Sequence, residues 1–335
     1  MQTSSSDFQL PKHVYLETTS RCNLRCRGCV LHRGSWEHQR DLSLEELIMI
    51  CDQLPKIERV ALHGIGEPIL NKELPNMIRH LKERKAFVFF NSNGILLDEI
   101  CQNQLIDTGL DELRISLDAS SSTGYKSVRN SDKFDLIVDN LRTFSERIKA
   151  LDVSHPKLSL WYLGTRENIS ELPNFVRLAA TLDITEVYLQ RLVYFQDDEG
   201  HGLARSEKTL MDSNAAVMEL IHESYEIAKR SGVQFNASGL GNPLESLQTG
   251  SRNPSPWSPC YRPTTLIYIT ANGNVLPCCI SPFSTSDYDS IILGNVFDNS
   301  LAEIWSGHRY RAFRKKRQTE NPPKCCEGCG TFWSL

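Results

Sequence analysis

Short runs of β-forming residues alternate with amphipathic helical stretches through the first 200 residues of this 335-residue chain. Each run is followed by apolar residues at helical spacing, which predicts βα units and therefore a parallel sheet. Six repeats are fewer than the eight that close a complete TIM barrel. We therefore predict an α/β fold, a partial (β/α)6 TIM-like barrel that is open and curved. The predicted strands lie at residues 13–18, 59–63, 87–91, 112–117, 158–163 and 186–190, and the clearest helices between them at 44–54, 74–84 and 134–149.

Three cysteines, Cys22, Cys26 and Cys29, follow the first predicted strand directly. Parallel strands place their binding loops at their carboxyl ends, so this position suits a functional site. The spacing lets one short loop offer three thiolates to a single metal centre. Four protein ligands would close such a site, whereas three ligands on a cubane cluster leave one iron open to bind and activate a substrate.

This spacing of cysteines resembles the CxxxCxxC signature of the radical S-adenosylmethionine (SAM) superfamily. In that family the open iron of a 4Fe-4S cluster is chelated by the amino and carboxyl groups of SAM. One electron from the reduced cluster then splits the sulfonium and gives a 5′-deoxyadenosyl radical. The resemblance implies that Cys22, Cys26 and Cys29 hold the cluster and that the protein is an enzyme.

Later strand ends resemble the SAM pocket of the same family. The segment after the second strand looks like the Gly-Gly-Glu-Pro motif that receives the amino group of SAM, and glycine permits the close backbone approach this requires. The segment after the third strand is similar to the Thr-Asn-Gly motif beside the cofactor. Residues after the fourth strand, with an arginine downstream, resemble the pair that holds the methionine carboxylate and the ribose, and a guanidinium fork suits a carboxylate. The implied SAM-binding residues are Gly64, Gly66, Glu67, Asn91, Asn93, Ser116, Asp118 and Arg129.

One position departs from the family pattern. Many members carry an aromatic residue just before the third cysteine, close to the adenine, and this chain has Gly28 there. The adenine contacts must then come from elsewhere, and the fifth strand offers Tyr162 or Leu163.

The carboxyl-terminal part contains a second cysteine pattern. The stretch TLIYITANGNVLPCC predicts a β-hairpin with its turn at Asn272 and Gly273, and a last helix is predicted over 301–316. The pattern resembles the twitch form of the SPASM auxiliary-cluster domain, in which a hairpin and a following helix supply four cysteines to one more 4Fe-4S cluster. The implied ligands are Cys260, Cys278, Cys326 and Cys329, with Cys325 as the alternative to Cys326. A zinc ribbon is the alternative interpretation.

We therefore expect two clusters in all. The full SPASM form needs further cysteines for a third cluster, and none follows Cys329 up to the last residue, Leu335. The expected domain organisation is an N-terminal tail at 1–11, the radical SAM barrel at 12–205, a bridging region at 206–256 and the twitch domain at 257–335. A polar loop at 196–208, a helix at 214–230 and a passage rich in Gly, Pro and Ser mark the bridging region.

Composition favours a cytoplasmic protein. The first ten residues lack both a basic segment and an apolar run, and nowhere do eighteen apolar residues follow one another. Eleven cysteines, eight of them in three short clusters, fit metal binding in a reducing compartment better than a disulfide framework. The net charge of −4 gives no reason to expect nucleic-acid or membrane binding. We interpret the basic run at 308–317 as the solvated face of the last helix.

The resemblance implies an enzyme that abstracts hydrogen from a carbon of a small, polar, carbohydrate- or nucleoside-like substrate, giving dehydrogenation or epimerisation. An electron donor such as flavodoxin or ferredoxin is expected. Gln190 and Arg205 are candidates to orient the substrate, and the thiol of Cys279 is a candidate hydrogen donor. One alternative is a maturase of a ribosomal peptide, although the winged-helix domain of many such enzymes is not seen here. The other is a non-catalytic zinc- or cluster-binding protein that recognises RNA.

Overall fold

The computed structural model describes residues 9–32, 37–195, 203–210, 215–239, 242–246, 255, 257–327 and 329. Most of the predicted N-terminal tail lies outside these residues, as do the first seven residues of the predicted polar loop at 196–208 and much of the Gly-, Pro- and Ser-rich passage. Along the described chain, no helix has both the length and the apolar character needed to cross a membrane.

A single sheet of ten strands organises the described structure, with the order β10-β9-β8-β1-β2-β3-β4-β5-β6-β7. The strands from β8 through β1 to β7 all pair in parallel, while β9 and β10 are antiparallel to their neighbours. Such a parallel sheet, with its helical crossovers, is the predicted α/β barrel-like fold, and this prediction is confirmed. The strands are β1 (His13–Leu16), β2 (Arg59–Ala61), β3 (Phe87–Ser92), β4 (Glu112–Ser116), β5 (Lys157–Gly164), β6 (Glu186–Arg191), β7 (Gln234–Ala237), β8 (Leu266–Ile269), β9 (Asn274–Leu276) and β10 (Gly294–Asn295).

Helices connect the parallel strands and cover one face of the sheet. Strand residues that alternate along the chain, such as Val88 and Phe90 or Leu113 and Ile115, join the helices in one hydrophobic core. The intervening residues face the opposite side, where the barrel is open. The helices are α1 (Leu44–Asp52), α2 (Leu74–Glu83), α3 (Glu99–Asp107), α4 (Ser122–Arg129), α5 (Phe134–Ala150), α6 (Leu172–Thr181), α7 (Ala215–Ser231), α8 (Pro243–Ser246), α9 (Arg262–Thr265), α10 (Leu301–Ser306), α11 (His308–Arg317) and α12 (Lys324–Glu327).

Strand β7 was not among the six predicted strands. It follows the predicted helix α7 and pairs in parallel with β6, so α7 and β7 form one more helix–strand unit of the sheet. Its four residues are too few to show a clear alternation, which explains why the sequence pattern did not reveal it.

The predicted last helix is in fact two helices. Gly307 has an extended backbone, with φ −68° and ψ 163°, and so ends α10 and precedes α11. A Cβ atom at this position would lie 2.7 Å from the carbonyl oxygen of Glu303. The prediction of one helix over 301–316 is therefore wrong, because the backbone turns at this glycine.

The hairpin of β8 and β9 forms as predicted and extends the barrel sheet. Its turn contains Gly273 at φ +82°, a conformation that glycine adopts without strain. The first hairpin strand pairs with β1 in register, with His13 opposite Leu266 and Leu16 opposite Ile269. The carboxyl-terminal cysteines are thus held on the same sheet as the first three.

Candidate metal centre and cofactor site

The loop after β1 carries Cys22, Cys26 and Cys29. The amide of Leu24 donates to the Cys22 sulfur over 3.4 Å, and the amide of Cys29 donates to the Cys26 carbonyl over 3.2 Å. Burial raises the pKa of Cys22, and it raises the pKa of Cys29 to about 12, with a further increase from the neighbouring cysteines. The three thiols are therefore close enough to influence one another. Iron must displace their protons when it binds.

A network of polar side chains fixes this loop. Arg21 forms two hydrogen bonds with Asp41, at 2.9 and 2.5 Å, and its guanidinium also donates to the Leu70 carbonyl at 3.1 Å. The Asn71 amide donates to the carbonyl of Thr18 at 2.7 Å. These bonds fix the chain on the amino-terminal side of the cysteine loop.

The described residues contain no group of three His, Cys, Asp or Glu side chains close enough to hold a single metal ion. Thiolates around one zinc ion, each at about 2.3 Å from the metal, lie within about 4 Å of one another. A cubane is larger than a single ion and holds its ligands farther apart.

Two glycines bring the segment after β2 against the cysteine loop. A Cβ atom on Gly66 would lie 2.1 Å from the carbonyl oxygen of Thr19 and 2.7 Å from that of Arg21. A Cβ atom on Gly64 would lie 2.4 Å from a carboxylate oxygen of Glu17. Only glycine allows this approach, so the segment that the resemblance assigns to the amino group of SAM packs directly against the chain that leads into the cysteine loop.

Glu67 is buried directly behind this backbone. Its carboxylate accepts hydrogen bonds from the Ser92 hydroxyl at 2.9 Å, the Asn93 amide at 2.7 Å and the Ile69 amide at 3.3 Å. Burial raises the pKa of Glu67 to about 7, although these hydrogen bonds lower it. The carboxylate therefore changes its protonation state near neutral pH. Its ionised form only accepts hydrogen bonds, whereas its protonated form carries one O–H donor.

The ends of β3 and β4 complete the predicted pocket. The side chain of Asn93 donates to Asn23 at 2.7 Å, within the cysteine loop. The side-chain oxygen of Asn91 is buried and has no partner among the described residues. A buried unpaired acceptor carries an energetic cost, so it is a position where a bound donor would fit. Ser116 is the last residue of β4, on the same face of the sheet.

Arg129 joins β4 to the cysteine loop. Its guanidinium forms an ion pair with Asp118 and donates to the Cys26 sulfur at 3.6 Å, while its Nε is buried without a partner in the described chain. Burial alone lowers the pKa of Arg129, but Asp118 and the Cys26 sulfur raise it above its ordinary value. Arg129 therefore remains a cation beside the cysteine loop. Its free Nε and the Asn91 oxygen show that the residues present fit a polar cofactor.

The structure changes the proposed adenine contacts. Tyr162 is fully buried, packs against Phe175 and donates to the Asn168 carbonyl, so it belongs to the core. Tyr162 is therefore not a candidate, whereas Leu163 faces the open side and donates its amide to Asp118 at 2.7 Å. Near the cysteine loop, a Cβ atom on Gly28 would lie 3.4 Å from atoms of Leu203 and Ala204.

This approach gives a reason for Gly28. The backbone of residues 203–204 passes against the position where an aromatic side chain was expected. Arg205 comes next, and its backbone begins a short 3₁₀ turn over Ser206–Lys208. The structure thus brings predicted residue Arg205 near the first cysteine loop.

Four cysteines of the second pattern also come together. The pKa of Cys260 is raised by burial and by neighbouring Cys329 and Cys326, and the pKa of Cys278 is raised by burial and by neighbours that include these same two cysteines. The amide of Cys329 donates to the Cys326 carbonyl at 3.3 Å, which makes a tight turn. These four thiols are therefore close enough to influence one another.

Cys325 and Cys326 have different environments. Cys325 is only 4% exposed and lies in the hydrophobic core. A hydrogen bond from Cys325 and the charge of Arg317 lower the pKa of Cys326 despite its burial. The thiolate form that binds iron is therefore favoured at Cys326.

Cys279 lies beside this group, with Cys278 and Cys329 among its neighbours. Its thiol forms a hydrogen bond with Tyr15 of β1 and lies near Arg262. Tyr15 is on the open face of the sheet, in edge contact with His63 at 5.5 Å between ring centroids. Gln190 lies at the end of β6 opposite Leu163, on that same face. The structure therefore places Cys279 and Gln190 along the open side of the barrel.

Comparison with known families agrees with this arrangement of cysteines. The sequence model described as the radical SAM superfamily matches residues 16–179, and the model of the iron-sulfur cluster-binding SPASM domain matches residues 260–330. The chain belongs to the radical SAM superfamily, in the SPASM group. This radical SAM enzyme binds SAM and two 4Fe-4S clusters. The zinc ribbon and the RNA-recognition alternative are thereby set aside.

Curated relatives match the radical SAM protein over almost its whole length. A tungsten-containing aldehyde ferredoxin oxidoreductase cofactor-modifying protein of Pyrococcus furiosus is 23% identical, covering 94% of this chain and 86% of the relative. A PqqA peptide cyclase of Granulibacter bethesdensis is 24% identical, covering 97% and 81%. The mycofactocin maturase MftC of Mycolicibacterium smegmatis is 26% identical, covering 94% and 74%.

A solved structure shows the same fold. Streptococcus suis SuiB, solved with its precursor peptide SuiA, superimposes with a TM-score of 0.64 at 15% identity, over 91% of this chain and 67% of SuiB. The prediction of a small carbohydrate- or nucleoside-like substrate, with dehydrogenation or epimerisation, is wrong. It is overturned by the relatives, among which a peptide cyclase and a maturase match nearly the whole chain.

Two residues of this region were not found from the sequence. Glu17 is buried beside Gly64, and Glu37 follows the cysteine loop and contacts the hairpin. For Glu17, the sequence offered one signal, which was a carboxylate directly after an apolar strand. Buried Asp and Glu are seldom without partners, so such a carboxylate indicates a specific contact.

Proposed function

We propose that the protein is a radical SAM maturase that modifies a ribosomally made precursor peptide. The observation that carries this proposal is the similarity to a peptide cyclase and to a maturase across at least 94% of this chain. The peptide substrate, and not the family, is the proposed part.

The roles of the site residues are part of this proposal. Cys22, Cys26 and Cys29 hold the first cluster, and Cys260, Cys278, Cys326 and Cys329 hold the auxiliary one. Bound SAM, with the reduced first cluster, supplies the 5′-deoxyadenosyl radical. The SAM-binding residues are Gly64, Gly66, Glu67, Asn91, Asn93, Ser116, Asp118 and Arg129, which bind and orient the cofactor through backbone, carboxylate and guanidinium contacts.

The open face of the sheet offers a surface that suits a peptide. The Arg114 guanidinium lies 4.0 Å from the Phe89 ring centroid and 4.6 Å from that of Trp161, and it pairs with Glu112 at 2.8 Å. Trp161 stacks on Tyr188 with 4.2 Å between ring centroids. Aromatic faces and fixed charges of this kind bind peptide side chains with little loss of conformational entropy.

We place Cys279, Gln190 and Arg205 at the edges of this substrate region. Cys279 contacts Tyr15 on the open face, Gln190 ends β6 on the same face, and Arg205 follows the segment that packs against Gly28. The chemistry also needs a one-electron donor, for which we propose a protein of the flavodoxin or ferredoxin class. The absence of a disulfide among the eleven cysteines suits a reducing cytoplasm.

The test is anaerobic reconstitution with iron and sulfide, followed by incubation with SAM, dithionite and the short peptides encoded beside the gene. We expect 5′-deoxyadenosine together with a mass change in one peptide. The Cys26→Ala variant is the control and should give neither product. Cleavage of SAM without a change in any such peptide would overturn the peptide proposal and leave the family assignment intact.

A further inference from the structure

Glu17 connects three parts of the protein at one buried carboxylate. It lies at the end of β1 and is 2% exposed. One carboxylate oxygen accepts a hydrogen bond from the Ile65 amide at 2.6 Å, within the segment that includes Gly64 and Gly66. The other accepts from the Ala271 amide at 3.2 Å, in the turn of the auxiliary hairpin. Glu17 therefore holds the SAM-binding backbone and the hairpin turn together.

The packing around Glu17 is tight on both sides. A Cβ atom on Gly64 would lie 2.4 Å from the Glu17 carboxylate and 2.6 Å from the Tyr268 hydroxyl, which belongs to hairpin strand β8. The amide of Glu17 itself donates to the Ile269 carbonyl at 2.9 Å. A shift of the hairpin would therefore displace the backbone of Gly64.

Glu37 makes a second connection to the same hairpin. One of its carboxylate oxygens accepts from the Asn274 side chain at 2.8 Å, the Thr270 hydroxyl at 3.1 Å and the Tyr288 hydroxyl at 2.6 Å. The other accepts from the Asn272 side chain at 2.9 Å. Charge-assisted hydrogen bonds of this kind are the stronger ones, and several of them converge on this one carboxylate.

Strand β9 of this hairpin ends two residues before the auxiliary ligand Cys278. We propose that Glu17 and Glu37 are positioning residues that couple the auxiliary cluster to the SAM site. A cluster bound at Cys278 would order the end of the hairpin. Glu37 holds the hairpin turn in place through Asn272, and Glu17 links that turn to the backbone of Ile65, so that SAM would bind the ordered backbone more tightly. This inference uses the cofactors of the family and does not depend on the peptide substrate.

Coupling of this kind is a free energy shared by two sites, so it must be reciprocal. Loss of the auxiliary cluster should weaken SAM binding, and bound SAM should stabilise the hairpin. We expect the dissociation constant of SAM to rise about tenfold without the auxiliary cluster, within the range common for coupled sites. Removing either glutamate should produce a similar rise while both clusters stay in place.

The test is a double-mutant cycle measured by equilibrium dialysis of SAM, without reductant so that no turnover occurs. The proteins are wild type, Glu37→Gln, Cys326→Ala and the double variant, each reconstituted and assayed for iron. We expect each single change to weaken SAM binding and the double change to weaken it little more than either single one. The Asp111→Asn variant is the control, because Asp111 is also a carboxylate of the sheet but accepts from Lys82 at 2.5 Å and from the Val88 amide at 2.7 Å, at the opposite end of the strands from the SAM site.

Hydrogen–deuterium exchange provides a second measurement that needs no cysteine variant. SAM should slow exchange of residues 266–276 in the wild type and in Asp111→Asn, but not in Glu17→Gln or Glu37→Gln. A merely structural loss would speed exchange with and without SAM equally. Independent, additive effects on SAM binding, or SAM protection of the hairpin that persists in both glutamate variants, would overturn the proposal.

Discussion

Glu67 is a buried carboxylate at the proposed contact with the amino group of SAM. Its pKa, raised to about 7 by burial, means that it is largely protonated at pH 6 and largely ionised at pH 8. Because the ionised form accepts hydrogen bonds through both oxygens, SAM affinity should increase with pH. We expect the dissociation constant to fall by up to about tenfold from pH 6 to pH 8, following the ionised fraction.

Equilibrium dialysis across this pH range would measure the effect, with Glu67→Gln for comparison. Titration of the SAM amino group itself is the same for both proteins, so the difference between their pH profiles belongs to Glu67. Identical profiles would show that Glu67 does not titrate against the cofactor.

Gly66 tests the close backbone approach. In Gly66→Ala the new methyl group would collide with the Thr19 carbonyl oxygen, at 2.1 Å. The methyl group is fixed to the backbone of residue 66 and the oxygen to that of Thr19, so neither can easily move. We expect SAM binding to weaken by at least tenfold and the free energy of unfolding to fall by about 2 kcal/mol or more. Gly28→Ala is the matched control, because its methyl group would lie at 3.4 Å from its neighbours, and it should bind SAM nearly as the wild type does.

At the scale of elements, α12 contains two adjacent cysteines, Cys325 and Cys326, and we expect Cys326 to bind the auxiliary cluster. Two 4Fe-4S clusters contain about eight iron atoms per chain. The Cys326→Ala variant should retain about four iron atoms, because the lowered pKa of the Cys326 thiol and its position near Arg317 favour a thiolate ligand at this residue. The Cys325→Ala variant should retain about eight and lose stability through a small cavity in the core. Iron analysis after reconstitution compares the two, and the opposite pattern would exchange their roles.

The break between α10 and α11 gives a test of packing alone. In Gly307→Ala the methyl group would lie 2.7 Å from the Glu303 carbonyl and 3.1 Å from that of Ile304. We expect a destabilisation of roughly 1–3 kcal/mol in chemical denaturation. The iron content should not change. An unaltered unfolding midpoint would show that this turn accommodates a side chain.

Several elements could be predicted because their signals are local. The six strands, the helices α1, α2, α5 and α7 and the hairpin turn at Gly273 each carry their own periodicity or turn residue. Strand β7, with four residues, did not carry enough of a pattern, and the continuous amphipathic run over α10 and α11 concealed the turn at Gly307. The cysteine ligand sets were predicted from the resemblance of the two cysteine patterns to those of the radical SAM superfamily and the SPASM domain.

For the whole molecule, the missed features depend on contacts between distant parts of the chain. Glu17 and Ala271 are 254 residues apart, and Glu37 is more than 230 residues from each of its hairpin donors. No window of sequence contains both partners of such a bond. The substrate prediction was wrong for a related reason, since the barrel and its cysteines specify how a radical is made but not which molecule fills the open face.

The parallel pairing of β8 with β1 has a consequence for any attempt to divide the protein. A fragment that ends at residue 256 would lack β8, so β1 would become the outermost strand with unpaired amide and carbonyl groups along its length. Such bare margins recruit further strands from other molecules. We expect the fragment to elute as large aggregates in size-exclusion chromatography, whereas the complete chain elutes as a defined species; a monodisperse fragment would show that the barrel protects this margin by itself.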